Sequence, residues 1–336
     1  MNNNPVRIPY AEVFSVLEKI LLNLNFSGDR ARLCAQLFAD TSRDGVYSHG
    51  LNRFPQFVRM IKSRVVRVDA EPKLVSTFGA LERWNGNAGP GNLNAWHCMQ
   101  RAIALSRNHG IGCVALANTN HWMRGGSYGW QAAEAGVIGI CWTNTLPNLP
   151  PWGATDPRVG NNPLIVAAPR ASGHVVLDMA MSQFSYGALA VYRMRGEQLP
   201  VDGGLDSAGN LTRDPAAIEA SQRPLPIGYW KGSGLALLLD MVAALLSAGC
   251  ATHQIEPIPE RETDLSQVFI AINPASPASA STNIADEIIA YLHATPSAPG
   301  KSVRYPGERV LETRKQNLAE GIPVDPQIWR EVQALA

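Results

Sequence analysis

A chain of 336 residues, 46% hydrophobic and 17% charged, can bury a sizeable core in roughly two domains, and its lean charge leaves room for a subunit interface. With 29 Lys and Arg against 28 Asp and Glu, the net charge is +1; no long basic run supports a nucleic-acid or membrane-surface role, so small polar or anionic ligands are expected. The cysteines Cys34, Cys98, Cys113, Cys141 and Cys250 are odd in number and set in apolar surroundings, a pattern that reads as reduced thiols of a cytoplasmic protein.

Met1 to Pro5 lacks the charged and apolar regions of a leader, and the longest apolar run, Leu235 to Leu246, is interrupted by Asp240 and too short for a bilayer. Val13, Val16, Leu17, Ile20, Leu21 and Leu24 mark one helical face, and Ser27 is placed to cap a second helix burying Ala31, Cys34, Leu37 and Phe38. Next comes Gly45-Val46-Tyr47-Ser48-His49-Gly50-Leu51-Asn52-Arg53, which gathers a hydroxyl, an imidazole and a guanidinium. With Pro55 in a first turn, a helix starting here would put His49 and Arg53, four apart, on one face. That pairing can protonate an oxyanion while holding a carboxylate; the blander alternative is that Ser48 is an N-cap, His49 a surface residue and Arg53 its solvated partner.

The glycine cluster Gly86-Asn87-Ala88-Gly89-Pro90-Gly91 lacks the third glycine of G-x-G-x-x-G and no strong strand run precedes it, so it reads as a tight turn before a helix from Asn92. The buried strand Ile111 to Leu116 delivers Asn120-His121-Trp122-Met123-Arg124-Gly125-Gly126-Ser127-Tyr128-Gly129, where His121 is either a site residue or the cap of the next helix. Asn162-Pro163 opens a strand at Leu164. His174 to Asp178 forms another, with small residues from Met179 and Ala180 opening a helix; Asp178 is its cap or a carboxylate aimed into the site. The Gly/Pro/Asp-rich stretch from Leu199 to Gly228 reads as a long irregular loop. Lys231, between glycines at the start of a long helix, is either a phosphate ligand or an ordinary exposed lysine. Val268 to Ile272 is a buried strand, Asn283 caps a helix, Pro306-Gly307-Glu308-Arg309 opens another, and Asp325-Pro326 caps the last. H-E-x-x-H and C-x-x-C are both absent, so no metal is expected.

Tyr47-Ser48-His49-Gly50 with Arg53, Asn120-His121, Asn162-Pro163, Leu177-Asp178-Met179-Ala180, Gly228-Tyr229-Trp230-Lys231-Gly232 and Pro306-Gly307-Glu308 resemble the second type of malate/L-lactate dehydrogenase family. Together these motifs span nearly the whole chain. The resemblance implies a non-Rossmann, mixed-sheet α/β nicotinamide-binding domain (71–299) packed with a helical substrate and dimerisation domain (1–70 plus 300–336). It implies a homodimer with NADH, or alternatively NADPH, near the subunit boundary. Members of the family act on malate, lactate, ureidoglycolate or cyclic imines; His121 to Trp130 and Leu199 to Gly204 match those acting on a 2-keto sugar acid.

In the roles so implied, His49 is the proton donor, with Ser48 and Arg53 beside it in the substrate pocket and His121 a second site residue. His174, Val175, Val176, Leu177, Asp178, Met179 and Ala180 contact the cofactor, as do Trp230, Lys231, Gly307, Glu308 and Arg309. Relatives carry histidine where Glu308 stands, so in that stretch the resemblance transfers a backbone contact. From its placement, Asp178 is expected to orient or charge-stabilise a site histidine. A sugar-acid binding protein without catalysis is the competing class.

Overall fold

The computed structural model describes residues 5–274 and 278–336; Met1 to Asn4 and part of the spacer before Asn283 lie outside it. Strand β1 (Val6–Ile8) is followed by α1 (Tyr10–Asn23), α2 (Gly28–Arg43), two 3-10 turns (Tyr47–His49 and Leu51–Arg53) and α3 (Phe54–Lys62). At the far end of the chain come α10 (Glu308–Glu320), β13 (Ile322–Val324) and α11 (Pro326–Gln333). β1 pairs antiparallel with β13, Ile8 opposite Ile322, so the two ends share one core: Leu17, Phe38, Phe54 and Phe57 pack with Ile322, Trp329 and Val332. Asp325 caps α11 as its sequence predicts, its side chain accepting from Gln327 N at 2.7 Å. Ser27 is the N-cap of α2 but makes no side-chain cap bond.

Between these ends run β2 (Lys73–Phe78), β3 (Leu81–Asn85), α4 (Gly91–His109), β4 (Ile111–Thr119), α5 (Gly126–Glu134) and β5 (Ile138–Thr143). They are followed by β6 (Pro147–Leu149), β7 (Val159–Gly160), β8 (Leu164–Ala168), β9 (Val175–Met179) and α6 (Tyr186–Arg195). The remainder is β10 (Gly204–Leu205), β11 (Leu211–Thr212), α7 (Pro215–Ser221), α8 (Trp230–Ser247), β12 (Leu265–Ile272) and α9 (Ala278–His293). Seven strands form one mixed sheet in the order β2-β3-β4-β12-β5-β8-β9, with β3 and β4 parallel and the other pairs antiparallel. Alternation divides the strands between two layers: Val114, Leu116 and Phe269 pack under α4 and α5, whereas Ala115 and Val268 pack under α8 with Leu239 and Ala243.

Several expectations are corrected. The stretch from Ser48 to Arg53 is no single helix; Gly50, at φ −97° and ψ −126°, breaks it into two turns. A side chain at Gly50 would strike Ser42, so α2 presses on that break, and Ser48 lies inside the first turn rather than at a cap. The glycine cluster does follow a parallel strand, β3, whose alternation Glu82, Arg83 and Trp84 obscure. The helix after β9 starts at Tyr186, capped by Ser185, so Asp178 belongs to the strand and caps nothing of that helix. Leu199 to Gly228 holds a short hairpin and α7, whose Ile218 packs with Leu189 and Leu199; two-residue strands carry no readable period. Asn283 lies inside α9, which begins at Ala278. By length and composition α8 is apolar enough to cross a membrane, but it packs on the sheet through Ala236, Leu239 and Ala243. Its Asp240 accepts from Asn144 Nδ2 and Thr252 N, both at 2.9 Å.

Candidate active site

Three elements converge where the two cores meet. The broken turns carry Ser48, His49 and Arg53; the loop after β4 carries His121; a short turn before β12 carries Glu262, which no sequence motif marks. Gly91 explains how the loop after β4 is held: a Cβ there would collide with the carbonyls of Asn120 and His121, so only glycine lets α4 start against that backbone. Asn120 Nδ2 adds bonds to the carbonyls of Ala88 (2.8 Å) and Gly89 (2.9 Å).

The His49 and His121 rings lie 5.9 Å apart at 26° to one another. Ser48 Oγ is 2.9 Å from His49 Nδ1. Arg53 Nη2 donates to Glu262 Oε2 at 3.2 Å, and His121 Nε2 is 3.9 Å from the same oxygen. His121 Nδ1 accepts from Met123 N at 3.1 Å, which makes the neutral Nε2–H tautomer the one that fits. His121 therefore caps no helix; Gly125 is the N-cap of α5.

Burial pushes His121 well below the ordinary histidine range, and the charge of Arg53 adds to this. It also lowers His49, where Asp178 pulls the other way and Arg53 and Arg124 reinforce it. Glu262 is raised by burial, with Arg53 opposing.

Asp178 sits on β9, where its Oδ2 accepts from Gly126 N at 2.9 Å in the first turn of α5. A Cβ on Gly126 would approach that oxygen to 2.6 Å, and one on Gly129 would approach Ile165 to 2.7 Å. The glycines of Gly125-Gly126-Ser127-Tyr128-Gly129 thus serve close packing of α5 on β8 and β9. Trp122 is buried against Tyr128 and Phe269 and does not face the site. Arg124 is buried too, its Nη1 bonded to Asp44 Oδ2 at 2.7 Å. That same carboxylate accepts from Arg314 (2.8 Å, twice) and Arg43 (2.9 Å).

The stretches expected to hold a cofactor line the sheet edge. β9 is the outermost strand, and Val176 N donates to Pro306 O at 2.9 Å, which seats Gly307, Glu308 and Arg309 beside His174 to Val176. Gly307 has φ +98°, and a Cβ on it would come within 3.2 Å of His174 O and Val176 N. The Glu308 carboxylate is engaged by Tyr305 N (3.3 Å) and His293 Nε2 (3.4 Å), whereas Arg309 is exposed. Trp230 and Lys231 lie past the other end of the strand, where Ile227 N donates to Met181 O at 2.7 Å. The two groups are separated by roughly 15 Å of strand. Tyr229 gives the first turn of α8 no side-chain cap, and Lys231 in that turn is exposed. Lys231 N and Gly232 N already donate to Gly228 O and Ile227 O, so what this end offers a phosphate is the exposed Lys231 side chain, and what the other end offers the rest of a dinucleotide is the Gly307 turn beside β9. The residues present fit the nicotinamide cofactor that the family resemblance implies.

Residues 8–333 match the family described as malate/L-lactate dehydrogenase. The 2,3-diketo-L-gulonate reductase of Escherichia coli (strain K12 / DH10B) is 45% identical over 333 residues, 98% of this chain and 100% of that protein. Sulfolactate dehydrogenase from Methanocaldococcus jannaschii superposes with TM-score 0.91 at 27% identity, covering 98% of this chain and 96% of that one. Δ1-piperideine-2-carboxylate reductase from Pseudomonas syringae pvar. tomato superposes with TM-score 0.87 at 27% identity, over 98% and 100%. With the same fold and the matching motifs along its whole length, this chain belongs to the malate/L-lactate dehydrogenase family and is an oxidoreductase.

Proposed function

We propose that this chain reduces a 2-keto sugar acid, 2,3-diketo-L-gulonate, with NADH. The observation that carries this reading is the convergence of two stacked histidines and one half-buried arginine beside the sheet edge that fits a dinucleotide. When bound, the reduced nicotinamide supplies hydride to the C2 carbonyl of the acid. Arg53 holds the carboxylate of the substrate with its planar fork. His121, kept neutral by Met123 N at its Nδ1, offers Nε2–H to a substrate oxygen. His49, oriented by Ser48, delivers its proton to the forming alkoxide. Asp178 counters the two arginines that disfavour protonated His49, which keeps the donor chargeable. His174 to Ala180, Trp230, Lys231 and Gly307 to Arg309 would hold the cofactor, with Lys231 supplying a positive charge to a phosphate.

The 71–299 segment carries the cofactor in this reading, and 1–70 with 300–336 carries the substrate arginine and the donor. A second copy covers α8: Leu237, Leu238, Met241, Val242 and Leu245 are exposed along it, an apolar face that water disfavours. Trp230 and Lys231 start that same helix, so in this reading the cofactor site lies at the boundary of a homodimer. The five free thiols support a reducing compartment, the cytoplasm.

Loss of absorbance at the reduced-nicotinamide band is the test, with 2,3-diketo-L-gulonate, pyruvate, oxaloacetate and a cyclic imine run against NADH and NADPH. Fastest turnover of diketogulonate with NADH is expected; preference for another acid reassigns the substrate, and binding of diketogulonate without oxidation of NADH overturns it as the substrate. An active monomer in light scattering would overturn the dimer.

A further inference from the structure

We propose that Glu262 stands in for the substrate carboxylate on Arg53 while the site is empty, and that a 2-keto acid binds by claiming that guanidinium as Glu262 takes up one proton. The inference rests on the reading of Arg53 as the group that holds the substrate carboxylate.

Charge balance in a buried corner governs the exchange. The Glu262 side chain is 9% exposed and that of Arg53 25%. Arg53 donates to Glu262 through Nη2 at 3.2 Å and no second bond between the two is formed, so the pairing is one-pronged and, among the described residues, no other group engages the fork. Guanidinium and carboxylate together are neutral. A second carboxylate arriving on the same cation leaves one uncompensated negative charge, which a water-poor site resists strongly.

The groups that face this corner are few. From the turns before α3 come Arg53 and His49, and from the loop after β4 comes His121, with its Nε2 at 3.9 Å. Asp178 and Arg124 act on His49 rather than on Glu262. Burial and the charges of Arg53 and Arg124 disfavour the balancing proton on His49 while oxamate alone fills the pocket, and His121 cannot accept it without giving up the bond from Met123 N, because Nδ1 is its acceptor and Nε2 already carries hydrogen. Glu262 can: a proton from solvent forms one O–H bond on its carboxylate, nothing in the protein is cleaved, and the corner returns to neutrality. Burial already raises the proton affinity of Glu262, with Arg53 as the opposing cation. Sharing that cation with a ligand removes the opposition.

Binding that takes up a proton weakens as pH rises, by up to about tenfold per unit, between the proton affinities of Glu262 in the empty and filled sites. Oxamate, a non-reducible mimic of a 2-keto acid with one carboxylate, provides the probe. It is titrated into the full chain with NADH present, by calorimetry at pH 7 in two buffers of different ionisation heat, so that the difference counts protons. About one proton taken up per oxamate by the unmodified chain is expected, with about none in Glu262→Gln, together with loss of the pH dependence of oxamate affinity in that variant. Oxamate binding with no uptake by the unmodified chain overturns the inference without any variant. So does an equal count in Glu262→Gln, which would place the proton on a histidine. Failure to reduce any keto acid sinks the proposed activity but leaves the count, which needs only a carboxylate at Arg53.

Discussion

Two clusters of opposite construction act on His49. In one, the Asp44 carboxylate is saturated: Arg43, Arg124 and Arg314 all donate to it, and Arg314 also lies over the Trp130 ring at 4.6 Å. In the other, Glu262 has a single bond from Arg53 and a neutral histidine at 3.9 Å. Both carboxyls are buried, and burial raises both. At Asp44 the bonds and charges of three arginines outweigh burial and bring the carboxyl from 3.8 down to about 2. At Glu262 one arginine does not, and the carboxyl stays above the ordinary glutamate value. A carboxylate with every lone pair occupied ties α2 to the loop after β4 and to α10, a clamp that nothing needs to open. A carboxylate with one weak partner is a place where partners are exchanged.

That contrast breaks if variants in the two clusters behave alike. His49→Ala, in the second cluster, is expected to lower kcat by roughly 10²–10⁴-fold, the usual worth of a positioned general acid, with an unchanged melting temperature and intact NADH binding by fluorescence. Near-native kcat there, with loss in His121→Ala, would move the donor to His121. In the unmodified enzyme reduction needs His49 charged, so the rate declines as pH rises through its pKa, which burial sets below the ordinary 6.5.

Asp44→Asn leaves three buried or half-buried guanidiniums around a neutral amide and is expected to cost about 3–5 kcal/mol of stability, read from urea unfolding midpoints. The Asp44 contribution is fully present above pH 3.8 and is lost as pH falls through about 2, since its folded value is the depressed one. A variant that unfolds like the parent but binds the keto acid poorly would make the clamp part of the site.

Arg53→Lys sharpens the distinction further. Charge persists but the planar fork is gone, so the keto-acid KM should rise roughly tenfold to a hundredfold, the worth of one or two charged hydrogen bonds, while the unfolding midpoint barely moves. The smallest effect belongs to Lys231→Ala: an exposed charge is worth up to about 1 kcal/mol, so the cofactor KM should rise by about fivefold at most with kcat retained. An unchanged cofactor KM would make Lys231 a solvated surface residue.

Sequence alone determined much of what is local. Apolar period placed α1 and α2 within a few residues, continuous apolar runs placed β4 and β12, and Asp325-Pro326 placed α11, because side-chain spacing and capping act over one or two turns. Ser48, His49, Arg53 and His121 stood out as candidates for the same reason: reactive side chains were concentrated beside glycines. Tertiary structure decided what depends on distant partners. The sheet order brings β12 between β4 and β5, and with it carries Glu262, an unremarkable residue of a charged run, to Arg53 across 209 positions of sequence. Asp44 acquires Arg124 and Arg314 from 80 and 270 positions away, and the β1–β13 pair closes a core from both ends of the chain. A carboxylate's role follows from how many cations reach it and how much water is left, and neither quantity exists until the chain has folded.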